Sequence, residues 1–216
     1  MTNLFSVFDP CTGILSMNWI SSLIFIMILP YNMWYLKNKL TLVINKMIES
    51  LKIEMKMIMP YKGTTIIGIS LFLMILINNL MGLMPYIFTS SAHLVFSLTL
   101  ALPLWLAFML YGWINKTNNM FSHLVPSGTP SALTPFMVLI ETISNMIRPG
   151  SLAVRLTANM IAGHLLMSLL GNNTSSLYLM ISTMIIYISL MLFELAVAMI
   201  QSYVFMTLTT LYSSEI

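Results

Sequence analysis

Apolar residues fill this chain in long unbroken stretches rather than in alternation. No Asp, Glu, Lys or Arg occurs within residues 10–36, 63–115, 156–193 or 195–214. A helix crosses the hydrocarbon core with about 20 apolar residues, and lipid restricts spanning backbone to helices or closed barrels. Continuous apolar runs without a two-residue period select helices. The pattern predicts a first span over 14–36, with Trp19, Trp34 and Tyr35 near its ends, where interfacial aromatics sit. The run 63–115 is too long for one crossing. Its stretch MPYIFTSSAH (84–93) carries turn-forming Pro, Ser and Thr, which predicts two spans over 64–86 and 94–114.

Between the first two spans the pattern changes. Residues 37–62 carry six Lys and two Glu. On a helical wheel Leu40, Val43, Ile44, Met47, Leu51, Met55 and Ile58 share one face. Lys39, Lys46, Glu49, Lys52 and Lys56 take the other, with Glu54 as the exception. This periodicity predicts an amphipathic helix on the membrane surface. A polar, proline-containing connector over 115–135 leads to two final apolar segments, 136–171 and 177–212, joined by GNNTSS. At about 1.5 Å per residue each would exceed about 50 Å as a helix, against hydrocarbon about 30 Å thick. A strongly tilted hairpin is expected, with a kink at Pro149-Gly150. The fold class is therefore all-α integral membrane protein, one domain over 1–216, with about five membrane-embedded helices plus the surface helix.

Composition agrees. Of 216 residues 58% are hydrophobic and 7% charged, and the mean hydropathy is +0.91. Soluble domains carry about 25% charged residues, so a water-facing globule is excluded. The net charge of +3 gathers beside the membrane and is no signal for nucleic acid. The single Cys11 excludes an internal disulfide. No His, Cys and carboxylate spacing suits a metal, and no cofactor is expected. The N-terminus lacks basic residues and its apolar run is long enough to span, so no cleavable signal peptide is expected. Lys37 to Lys62 mark the inner side and Lys116 returns to it. Five spans then place the N-terminus outside and the C-terminus inside.

Ionisable residues within spans are costly and count as functional candidates. Here they are Glu141, Arg148, Arg155, His164 and Glu194, with Asn145, Asn159 and Gln201 among them. Glu141, Asn145, Arg148, Arg155 and Asn159 fall on one helical face, whereas His164 points away from that face on an ideal helix. Glu194 and Gln201 share a face of the last segment. Arg148 could equally be an interfacial anchor, Glu141 a boundary charge, His164 a packing residue, and Arg155 with Glu194 a static ion pair.

The stretches LAVRLTANMIAGHLL, ETISNMIRPGSLAVRL, ALPLWLAFMLYGWI, FSHLVPSGTP and ELAVAMIQSYVFMTLTTLYSSE resemble subunit a of the F-type ATP synthase, in the mitochondrially encoded form of insects or related arthropods. The resemblance begins at TNLFSVFDP, runs to the C-terminus and is weakest over about 11–62. It implies that the protein is no enzyme by itself but a proton-translocating stator subunit. Its partners would be the rotor's c-subunit ring, other stator and membrane-sector subunits, and lipid. It implies the mitochondrial inner membrane, with the N-terminus towards the intermembrane space and the C-terminus towards the matrix. Arg155 corresponds to the arginine facing the ring. His164 and Glu194 match the half-channel open to the intermembrane space, and Glu141 matches the matrix-side one. Asn159 and Gln201 match polar neighbours of the arginine.

Other classes make different demands. A stand-alone ion channel or secondary transporter would conduct without a ring. A structural subunit would hold Arg155 and Glu194 as a static pair. An intramembrane hydrolase lacks a nucleophile–base spacing.

Overall fold

The computed structural model describes residues 4–11, 16–30, 37–59, 62–125, 130, 133–172 and 177–214. Within them the chain is helical. A 3-10 helix, Met17–Leu23, runs into α1 (Ile24–Ile28). Leu29 is extended, with ψ 122°, because a residue preceding proline is pushed out of the helical region and Pro30 follows. Among its described residues, the segment expected as the first span is thus helical only over Met17–Ile28; positions 14, 15 and 31–36 lie outside the description.

The surface helix is α2 (Lys39–Ile58), followed by α3 (Lys62–Gly82) and α4 (Leu94–Asn115). The connector after α4 holds a short helix, α5 (Thr117–His123). Two long helices complete the chain, α6 (Thr134–Asn172) and α7 (Leu177–Ser214). At about 1.5 Å per residue both extend well beyond the thickness of the hydrocarbon. α6 continues unbroken through Pro149, which is buried. Four helices, α3, α4, α6 and α7, are long and apolar enough to cross a membrane. The shorter apolar helix Met17–Ile28 stands beside them.

α3 lies along α7 and α4 along α6, more extensively than α6 touches α7. Their common core is Ile75 of α3, Ala101 of α4, Leu152, Ala153 and Leu156 of α6, and Phe205 of α7. Alanines at the α4–α6 crossing bring backbones close, which is how helices gain contact where lipid removes the hydrophobic drive. Large apolar side chains such as Ile185, Leu192 and Phe193 are exposed along α7.

α2 does more than rest on lipid. Met55 is 1% exposed and packs with Phe72 of α3 and Met206 of α7. Its terminal methyl fills the notch at Gly68, where an added Cβ would lie 2.5 Å from it. Glu54, the exception on the wheel, accepts a hydrogen bond from the Tyr203 hydroxyl of α7 at 3.1 Å. The start of the apolar face, with Leu40 and Val43, is exposed.

Candidate functional site

The polar side chains of α6 distribute over three levels. In its N-terminal half the Arg148 guanidinium stands 3.6 Å from the Glu141 carboxylate. Its central carbon lies 5.1 Å above the ring of Tyr212 from α7. Two turns further on, Arg155 is exposed, and no hydrogen bond or ion pair to it is seen among the described residues. The static Arg155–Glu194 pair does not form.

One turn beyond Arg155, the Asn159 amide donates to Gln201 Oε1 of α7 at 3.2 Å, and Gln201 is buried. Glu194 stands two turns before Gln201 on α7 and is also buried. Its carboxyl lies over the bare Cα of Gly163: an added Cβ there would meet Glu194 Cδ and Oε1 at 2.6 Å. Both Glu194 oxygens are buried without a protein partner among the described residues. Glu194 lines a cavity of about 440 Å³ together with Asn159, Met160 and Leu83. Buried polar atoms demand a hydrogen-bonding partner, and water serves where protein does not.

His164 follows Gly163 and faces elsewhere. Its ring meets Phe8 edge-on, with centroids 6.2 Å apart and planes at 84°, and its Nε2 is buried without a protein partner. His164 and Glu194 therefore do not bond one another. Gly163 presents itself to α7, while His164 presents itself to the N-terminal 3-10 helix (Leu4–Phe8).

Sequence reasoning missed several polar groups on α3 and the loop after it. Asn79 is 0% exposed with both amide atoms unpartnered, and Asn78, Thr89 and Ser91 each bury an unpartnered atom. The available signal was the Asn78-Asn79 pair inside an otherwise apolar span. Thr89 reaches the same neighbourhood as Met160: a Cβ added at Gly82 would touch both, at 3.2 and 3.5 Å. Among the described residues no three His, Cys, Asp or Glu side chains gather as a metal site.

Four helices able to cross a membrane, together with acid–base groups that have no protein partner among the described residues and, at Glu194, a neighbouring cavity, fit a multi-pass membrane protein of the proton-conducting class. The sequence matches the ATP synthase A chain family over residues 14–214. ATP synthase subunit a of Aedes aegypti is 56% identical over 224 residues, that of Drosophila mauritiana 57% over 222, and that of Locusta migratoria 54% over 223. Each comparison covers 100% of this chain and 99% of the relative. The chain belongs to the ATP synthase subunit a family, in its insect mitochondrial form. It is a proton-conducting stator subunit of the membrane sector, in complex with the c-ring, and ATP chemistry resides on other subunits.

Proposed function

We propose that Arg155 is the fixed positive charge at which carboxyls of the c-ring exchange protons, and that two offset half-channels lead to it. The outer one passes His164 and Glu194, the inner one Glu141, and the Asn159–Gln201 bond ties α6 to α7 beside the arginine. The chain sits in the mitochondrial inner membrane with its N-terminus towards the intermembrane space and its C-terminus towards the matrix. The observation that carries this reading is Arg155 itself, exposed on α6 and unpaired among the described residues. A charge at mid-helix costs about 2.5–3.5 kcal/mol on insertion scales, so its counter-charge must come from another chain.

The physics then runs forward. Arginine keeps its proton at any relevant pH and cannot relay one. A ring carboxyl in lipid is neutral, because desolvation disfavours its charged form. Beside Arg155, at about 4 Å and an effective dielectric near 20, ionisation gains about 4 kcal/mol, or about three decades in proton affinity. The carboxyl releases its proton there and must take another before returning to lipid. Because the half-channels are offset, rotation is the only complete route, and Arg155 blocks the direct one. Each 100 mV of membrane potential supplies about 2.3 kcal/mol per proton.

The test is ATP-driven proton pumping by assembled complexes in vesicles, with Arg155→Ala against the native chain. Pumping is expected to vanish while assembly survives, and passive proton leak to rise. Pumping near the native rate would leave Arg155 a structural residue and sink the reading.

A further inference from the structure

The N-terminal 3-10 helix Leu4–Phe8 packs against α6 at His164. Phe8 covers one side of the His164 ring. On the other side of the same segment, Ser6 and Asp9 border a pocket of about 480 Å³ together with Asn18, Ser21 and Tyr86. The segment is tied down rather than loose. Asp9 Oδ1 accepts from the Cys11 amide at 3.0 Å, and the Asp9 carbonyl accepts from the Asn18 side chain at 3.4 Å. Ser21 in turn donates to the Phe88 carbonyl at 3.0 Å, anchoring the 3-10 helix Met17–Leu23 to the α3–α4 loop. Trp19 packs on Phe88 and His93 at the same place.

Charge makes the position telling. The chain has six acidic residues. In the orientation proposed above, Glu49, Glu54 and Glu141 belong to the inner side, and Glu194 is buried. Among the described residues Asp9 is thus the one acid on the outer side in that orientation, and it lies next in sequence to the residue that covers His164.

We infer that residues Leu4–Cys11 form the outer mouth of the half-channel, with Asp9 as the carboxylate that captures hydrated protons and Phe8 as a positioning residue that seats His164. This rests on reading His164 and Glu194 as the outer half-channel. A carboxylate at the mouth of a low-dielectric passage raises local cation concentration and on-rate by about 10-fold or more. Phe8 closes the lateral side of His164, leaving the buried Nε2 to be served by water from the passage. The titratable neighbours of Asp9 are Cys11 on its own segment and Tyr86 across the pocket. His93 lies behind Trp19 and Phe88, and His164 behind Phe8.

The experiment uses the whole ATP synthase in liposomes, driven by a fixed total proton-motive force while the pH on the outer side is varied. Asp9→Asn is expected to lower ATP synthesis about threefold to tenfold at outer pH 7.5 and to recover near pH 5.5, where bulk supply no longer limits. Asp9→Glu should restore the native profile, and changing inner pH should leave the ratio unaltered. Phe8→Ala should lower synthesis at every outer pH, and Phe8→Leu should retain most of it. Glu194→Gln separates the two levels. If it abolishes synthesis while Asp9→Asn matches the native profile at all outer pH values, the mouth is elsewhere and the half-channel stands. A native rate for Glu194→Gln would overturn both. An Asp9→Asn loss equal at every pH would assign Asp9 a folding role and also overturn the inference.

Discussion

The carboxyl of Glu194 rests on the missing side chain of Gly163, one residue before His164. The contact explains why α6 needs a glycine inside a helix, where alanine is favoured by about 1 kcal/mol. It also sets the Glu194 carboxyl on one side of α6 while His164, the residue after Gly163, faces Phe8 on another.

Gly163→Ala should therefore separate stability from transport. The added methyl would meet the Glu194 carboxyl at 2.6 Å, and that group is the mobile end of a side chain, so it moves aside at little cost. Assembly measured on native gels should stay near native. Proton pumping should fall by about tenfold to a hundredfold, the range seen when a reacting group is misplaced by about 1 Å. Pumping at the native rate in an assembled Gly163→Ala complex would show that the carboxyl's position there is immaterial.

The docking of α2 gives a contrast within one helix. Met55 is 1% exposed and Leu40 71% exposed, although both lie on the apolar face of the wheel. Met55→Ala empties the Gly68 notch and should cost about 2–5 kcal/mol. Leu40→Ala should stay within about 0.5 kcal/mol in the isolated chain. Limited proteolysis in detergent reads the difference, because a released α2 exposes cleavage sites at its lysines. Equal protection of the two variants would mean that lipid alone holds the helix.

What the sequence could and could not disclose follows from range. Charge-free runs longer than a bilayer crossing made α3, α4, α6 and α7 legible, since only internal backbone pairing survives in lipid. The excess length of the last two was a matter of arithmetic. The polar stripe on α6 was equally local, and the resemblance supplied its reading. Contacts between distant segments were not legible. A wheel marked Glu54 as misplaced without pointing to Tyr203, and a glycine at 163 carried no mark of the side chain that covers it. The break after Ile28 has a local sign in Pro30, which pushes the residue before it out of the helical region. His164 pointed away from the stripe on an ideal helix, yet nothing local indicated that Phe8 would meet it.

The Asn159–Gln201 bond is a direct side-chain hydrogen bond between α6 and α7. Hydrogen bonds between membrane helices average about 0.6 kcal/mol by double-mutant cycles. Thermal denaturation of Asn159→Leu, Gln201→Leu and the double variant should give a coupling of about that size. Gln201→Leu should be the costlier single change, because Gln201 is 6% exposed whereas Asn159 is exposed. Strictly additive single changes would mean that the two amides do not act together.

In the N-terminal half of α6, Tyr212 holds Arg148 from the opposite helix while Glu141 meets it from its own. A cation over an aromatic face is stabilised by about 0.5–1 kcal/mol at exposed sites and more when desolvated. The Arg148 and Glu141 side chains are 24% and 34% exposed, so the lower range applies. Tyr212→Phe keeps the ring and should leave ATP synthesis near native. Tyr212→Leu removes it, frees the guanidinium beside Glu141, and should slow synthesis about twofold to fivefold. The effect should disappear in an Arg148→Gln background, where no cation remains to be held. If Tyr212→Leu slows synthesis equally in both backgrounds, the ring acts by packing and Glu141 does not depend on it.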